Sequence, residues 1–294
     1  MENRNIIPVN AIPRLPKRPF DAHKGTFGKV LIVAGSMGMT GAAILSGRAA
    51  LRSGAGLVQV ATPAHVQAIV AGGNPCYTTF AIPQHADGSF GELAAAQAIE
   101  WAQTASSLAI GPGLGRSPGL AAFIRMVVSD LPKLPIVVDA DGLTALSPFT
   151  EEFKGRECPL VLTPHPGEFC RLSGHSMPEV QEHREALALA FAAKFGVVLL
   201  LKGAGTLVTD GRKLYRNSTG NPGMATGGSG DVLTGAIAAL LGQQMSPFDA
   251  ATFGAWIHGK AGDLAAQELG QTGLTAADLP EFLPHAFRER EDNR

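Results

Sequence analysis

From Lys24 to Phe287 short aliphatic and β-branched runs alternate with longer stretches whose apolar positions recur at helical spacing, the pattern of a sheet covered by helices. Val30–Val33, Leu57–Ala61, Leu108–Ile110, Ile136–Asp139, Leu160–Thr163, Val197–Lys202, Thr206–Thr209 and Lys213–Tyr215 predict strands. Gly41–Ser53, Glu92–Thr104, Pro118–Val128, Pro178–Phe195, Asp231–Leu241, Pro247–Leu269 and Thr275–Phe287 predict helices, several opened by a proline or a short polar cap. The runs IVVDA and VVLLLK are apolar on both faces, which fits central parallel strands with helices on each side. TLVTD and KLYR, joined by Asp210 and Gly211, predict a hairpin with a tight primed turn that adds an antiparallel edge. Pro8, Pro13, Pro16 and Pro19 predict an extended arm over residues 1–23. With no linker or composition shift beyond it, residues 24–294 are expected to form one three-layer α/β/α domain around a mostly parallel sheet.

Composition narrows the class of function. Of 294 residues, 45% are hydrophobic and 17% charged, fewer charges than soluble domains usually carry, so much surface must be buried. Lys and Arg number 24 against 25 Asp and Glu, a balance that gives no global positive field for nucleic acid or anionic lipid. The three cysteines, Cys76, Cys158 and Cys170, form no CxxC pair, which argues against a disulfide framework or a cysteine zinc site. Neither a signal peptide nor a membrane span is expected, and a cytoplasmic location follows as the expectation. The 36 glycines gather between apolar runs, where turns meet ligands.

Ligands of open α/β sheets collect at the carboxyl ends of strands, and five such turns carry unusual residues. Asn221–Asp231, NPGMATGGSGD, runs straight into a helix, so its glycines and the free helix N–H groups suit a phosphate. Asp231 there reads either as a general base for an attacking hydroxyl or as a plain helix cap. Lys202, with Gly203, Ala204, Gly205 and Thr206, reads as a phosphate-directed ammonium beside a nucleotide, or as a snorkelling surface lysine. Thr163–Glu168, TPHPGE, offers His165 to a substrate and Glu168 to a magnesium-bound water network, or is a locally bonded turn. One carboxylate makes no metal cage, so any Mg²⁺ would arrive largely through phosphate oxygens. Gly111–Gly115, GPGLG, and Gly35–Ala43, GSMGMTGAA, serve a ligand or close packing, and Asp139 and Asp141 serve a polar or magnesium role or cap a loop. No Walker A sequence, dinucleotide fingerprint, HExxH or nucleophile elbow is present.

Together HKGTFGKVLIVAGS, MTGAAILSGRAALRSGAGLV, GPGLG, VVDADGL, LTPHPGEF, LLKGAGTLV and NSTGNPGMATGGSGDVLTG resemble, from about Pro19 to His285 and in the same order, the ADP/ATP-dependent NAD(P)H-hydrate dehydratases of the ribokinase-like superfamily. The resemblance implies a ribokinase-like fold and repair of the S epimer of hydrated NADH or NADPH, driven by ADP, giving AMP and phosphate, or by ATP, with Mg²⁺. It implies that Asp231 contacts the hydrated nicotinamide and activates its hydroxyl, and that Gly227, Gly228, Ser229 and Gly230 form an anion hole on the transferring phosphoryl group. Lys202–Thr206 and Gly230 would bind the nucleotide, and Ala43, Gly113 and His165 the hydrated dinucleotide, with Glu168 as the superfamily's acidic residue near Mg²⁺. His165 stands where the superfamily has Asn, which favours ADP. The resemblance further implies a homotetramer and, because only an arm precedes Lys24, reliance on a separate epimerase or on spontaneous interconversion for the other epimer. Two alternatives remain: a ribokinase-like kinase of hydroxyethylthiazole or hydroxymethylpyrimidine type, and a nucleotide-binding sensor without catalysis.

Overall fold

The chain is described by a computed structural model over residues 6–86, 88 and 90–292. After strand β1 (Ile7–Val9), the first half runs β2 (Lys29–Val33), α1 (Thr40–Arg52), β3 (Leu57–Pro63), α2 (Gln67–Ala71), β4 (Thr78–Ile82), α3 (Glu92–Ala102), β5 (Ser107–Ile110), α4 (Leu120–Ser129), β6 (Ile136–Val138) and α5 (Asp141–Ala145). The second half runs β7 (Val161–Leu162), α6 (Pro166–Ser173), α7 (Met177–Glu182), α8 (Arg184–Phe195), β8 (Val198–Leu201), β9 (Leu207–Thr209), β10 (Lys213–Arg216), α9 (Ser229–Gly242), α10 (Pro247–Leu269) and α11 (Leu279–Asp292).

Among the described residues ten strands join one sheet in the order β1-β10-β9-β8-β7-β6-β5-β2-β3-β4. Only β9 runs against its neighbours, so the sheet is mostly parallel. Side chains alternate along each strand and divide the core into two layers. Leu31, Val33, Leu108, Ile110, Val138 and Leu199 pack under α3, α4, α6 and α8. Val30, Ile32, Val60, Val137, Val198 and Leu200 pack under α1, α9, α10 and α11. Both faces are therefore dry, as the continuous apolar runs require, and the three-layer α/β/α arrangement follows.

Several boundaries differ from the sequence reading. Part of the proline-rich arm is itself a strand: β1 pairs in parallel with β10, Ile7 opposite Lys213 and Val9 opposite Tyr215. An edge strand loses nothing to the missing N–H of Pro8, which explains why proline is tolerated there. The hairpin is consequently not the edge of the sheet. Its turn is also longer than a two-residue primed turn, since residues 210–213 lie between the paired Thr209 and Leu214, and Asp210 Oδ1 accepts from the N–H groups of Arg212 and Lys213. The helix expected over Pro178–Phe195 breaks at His183 into α7 and α8. Thr275 precedes α11 in a turn closed by Asp278. Among the described residues no helix is long and apolar enough to cross a membrane.

Candidate functional site

Strand order reverses between β2 and β5, and the carboxyl ends on either side of that reversal hold the polar side chains. Just past β6, Ala140 adopts φ 53° and ψ −120°, a conformation that costs energy for any residue with a Cβ and turns Asp139 and Asp141 in different directions. Gly111, at φ 126°, lies so close that a Cβ there would stand 2.0 Å from the Asp139 carbonyl. Asp141 Oδ2 accepts from the Gly115 N–H at 2.8 Å and so fixes the GPGLG loop. Asp139 is only 1% exposed. Its Oδ1 pairs with Lys202 Nζ at 2.8 Å, and its Oδ2 accepts from Thr234 Oγ1 of α9 at 2.7 Å.

Lys202 leaves β8 with its N–H bonded to the Pro164 carbonyl, which brings the ends of β7 and β8 together. Its ammonium also lies 3.8 Å from Glu168 Oε2. Burial opposes its charge, but the carboxylates of Asp139 and Glu168 outweigh that cost and hold Lys202 above the ordinary lysine range. It is not a snorkelling surface lysine. Behind the KGAGT loop, Arg184 donates to the carbonyls of Leu201, Lys202 and Ala204 and holds the loop in shape.

The TPHPGE segment opens α6. His165 is the N-cap, its Nδ1 accepting from the N–H groups of Gly167 and Glu168, while Glu168 Oε2 accepts from the His165 N–H at 2.8 Å. The locally bonded reading thus holds for this turn, yet the His165 ring remains half exposed.

At the start of α9 the N-cap is Gly228, at φ 94°, where a Cβ would meet Leu45 Cδ1 at 2.6 Å. Asp231 is the third helical residue, so it is not the cap. No side chain caps the helix; the Ser229 and Asp231 N–H groups bond back to the Thr226 and Gly228 carbonyls, while among the described residues the Gly227, Gly228 and Gly230 N–H groups have no backbone acceptor and face whatever approaches the turn. Gly230 lies directly over the ion pair: a Cβ there would be 3.2 Å from Lys202 Nζ and 3.5 Å from Asp139 Oδ2. Burial first, and then the negative charge of Asp139, push the Asp231 carboxyl up to about 7, with Lys202 opposing and Asp141 and Glu168 adding to the rise. Ser46 Oγ of α1 donates to the Asp231 carbonyl at 3.0 Å and ties the turn to that helix.

A cavity of about 720 Å³ adjoins this turn. It is lined by His165, Lys202–Thr206, Asn217–Pro222, Met224, Ala225, Ser229, Gly230, Leu233, Ala255, His258 and Gly259, a largely apolar wall with convergent polar groups. His258 is buried, which pushes its imidazole down to about 4 and keeps it neutral, with Nε2 3.4 Å from Ser229 Oγ. The structure therefore brings His165, Lys202, Gly203, Ala204, Gly205, Thr206, Ser229 and Gly230 around one space, with Glu168 against Lys202 and Gly227, Gly228 and Asp231 on the adjoining turn. Ala43 and Gly113 lie elsewhere, buried where α1 meets the GPGLG loop; a Cβ on Gly113 would be 2.8 Å from Ala42 Cβ. Sequence reasoning overlooked Thr234, His258 and Arg184. Spacing carries no sign of them, because helix residues that face a neighbouring loop look like any core-facing polar position. Among the described residues no three His, Cys, Asp or Glu groups stand together as a metal cage.

Comparison with known proteins shows the family. The family model described as NAD(P)H-hydrate dehydratase matches residues 30–285. The bifunctional NAD(P)H-hydrate repair enzyme of Moorella thermoacetica is 47% identical over 281 residues, covering 95% of this chain and 53% of that protein. The chain thus spans about half the length of the bifunctional relatives it matches. The ADP-dependent (S)-NAD(P)H-hydrate dehydratase of Neisseria meningitidis is 38% identical, covering 89% of this chain and 86% of that one. Among solved structures, the ADP/ATP-dependent NAD(P)H-hydrate dehydratase of Bacillus subtilis, co-crystallised with ATP/Mg²⁺, superposes with a TM-score of 0.83 at 32% identity over 94% of both chains.

Proposed function

Because the chain belongs to the NAD(P)H-hydrate dehydratase family, with its ribokinase-like fold, we propose that it returns the S epimer of hydrated NADH or NADPH to NAD(P)H in a reaction driven by ADP, releasing AMP and phosphate. One observation carries the reading: Asp231, poised to take a proton near neutrality, shares a turn with the unbonded N–H groups of Gly227, Gly228 and Gly230, the last of them directly over Lys202, beside a cavity of nucleotide size.

Hydroxide is a poor leaving group, whereas a phosphate ester departs readily. In this reading Asp231 accepts the proton of the ring hydroxyl as that oxygen bonds to the terminal phosphorus of the nucleotide. The bond from that phosphorus to the bridging oxygen breaks, and AMP leaves from ADP, or ADP from ATP. The carbon–oxygen bond of the phosphorylated hydrate then breaks, the neighbouring ring carbon loses a proton, and the double bond returns. The Gly227–Gly230 turn receives charge on the transferring group, Lys202 and the KGAGT loop hold the nucleotide phosphates, Ala43 and Gly113 shape the hydrate side, and His165 reaches the hydrate from the cavity it shares with the KGAGT loop.

Asp139 is committed to Lys202 and Thr234, so the carboxylates here fit a magnesium ion carried by the nucleotide rather than a protein cage. Bound Mg²⁺ would neutralise charge on the phosphates, with Glu168 reaching it through water. A homotetramer, a cytoplasmic location and work alongside an NAD(P)H-hydrate epimerase belong to the same proposal; relatives bearing bifunctional repair names support the last.

The test is product accounting with hydrated NADH, Mg²⁺ and either nucleotide. Dihydronicotinamide absorbance should recover only with nucleotide, in step with phosphate and, for ADP, AMP. A stable phosphorylated product would instead indicate a kinase, and nucleotide binding without turnover a sensor.

A further inference from the structure

The buried ion pair beneath the glycine turn poses a problem that the proposed reaction alone does not address. Asp231 can act as a base only if its carboxylate is not already neutralised, yet an ammonium lies under the adjacent residue: a Cβ on Gly230 would be 3.2 Å from Lys202 Nζ. Among the described residues the ion pairs of Lys202 are with Asp139 and Glu168, not with Asp231.

Asp139 is built to hold that ammonium. It is 1% exposed, and both of its oxygens are engaged, Oδ1 by Lys202 at 2.8 Å and Oδ2 by Thr234 at 2.7 Å. Its backbone is fixed as well, by the N–H bond to Ile110 and by the strained Ala140 that follows. Thr234 is one helical turn beyond Asp231 on α9, so the helix that carries the base also carries the hydroxyl that orients the lysine's partner. A strained backbone beside a fully bonded carboxylate marks a position that the surrounding structure over-determines.

We propose that Asp139 is a positioning residue: it holds the Lys202 ammonium toward the nucleotide side and away from Asp231, leaving the Asp231 carboxylate free to accept the hydroxyl proton. This rests on the proposed dehydration for its chemical meaning, but not for its test. The charged groups facing Asp231 are Asp139 beyond β6, Asp141 of α5, Glu168 of α6 and Lys202 beyond β8. Only the lysine can neutralise it.

The Asp231 titration is read without turnover, from the pH dependence of the stability change on Asp231→Asn, by thermal unfolding. The comparison is between Lys202→Met made in the native chain and Lys202→Met made together with Asp139→Asn. If Asp139 restrains the ammonium, its loss lets Lys202 pair with Asp231, and Lys202→Met then raises the Asp231 midpoint by at least about one pH unit more than in the native chain. Equal effects in the two backgrounds would mean that Asp139 acts only by its own charge or by packing, and would overturn the proposal. Should Asp139→Asn fail to fold, Thr234→Val replaces it, with a smaller difference of the same sign expected and equality again decisive against the idea. Product accounting separately decides the dehydration, so failure of one is not mistaken for failure of the other.

Discussion

A carboxyl group at the third position of a helix, buried beside another carboxylate, holds its proton more tightly than the unfolded chain does. For Asp231 the rise runs from 3.8 to about 7, caused first by burial and then by Asp139. Between those values the folded state binds more protons than the unfolded state, so this group favours folding at low pH and loses that contribution as pH rises. Asp231→Asn removes the buried charge. Its thermal stability should exceed that of the native chain above neutrality, by on the order of 2 kcal/mol, and the gain should vanish below about pH 4. Turnover should move the opposite way: kcat falls at least about 10²-fold, as for loss of a general base, while ADP affinity is kept. In the native chain kcat/KM for the proposed reaction should rise with pH through about 7, and near-normal turnover of Asp231→Asn would remove the residue from the chemistry. Much of this was legible in GGSGD and KGAGT, whose glycines and charges stand at strand and helix ends. What was not legible is the link between them, because Asp139, Lys202 and Thr234 are far apart in the chain and meet only through sheet order.

Helix α9 positions the turn by lying against α1 with almost no spacing. A Cβ on Gly235 would be 2.1 Å from the Ser46 carbonyl and 3.0 Å from Ala49 Cβ. Small residues at the contact, Ser46 and Ala49 on one helix and Gly235 on the other, permit that approach. Gly235→Ala must therefore separate the helices. The expected cost is at least about 2 kcal/mol in thermal or urea unfolding, with ADP affinity weakened because the turn moves with its helix. An unfolding midpoint equal to that of the native chain would show that the contact is loose. Strongly periodic elements such as α1, α9 and α10 were readable from spacing. Helix α6 was not, since eight residues give too short a pattern and the prolines on either side of His165 resemble a turn; its capping His165 and Glu168 were the signal that could have revealed it.

At the scale of the molecule, the reversal of strand order sets the GPGLG loop and α1 on one side and the nucleotide-sized cavity on the other, with the Gly227–Asp231 turn between them. Alternation along the chain announced an α/β sheet, and strands apolar on both faces announced its two covering layers. The order of the strands left no trace in local pattern. The edge strands β1 and β4 went unread as well, because a proline and a polar flank make Ile7–Val9 and Thr78–Ile82 look like loop. The central claim is that a phosphoryl group passes to the hydroxyl of the hydrate before that oxygen leaves, and heavy oxygen placed in that hydroxyl tests it most directly. In a single turnover with ADP and Mg²⁺, mass spectrometry should find the label in the released phosphate. Label recovered in water, with unlabelled phosphate, would contradict the account.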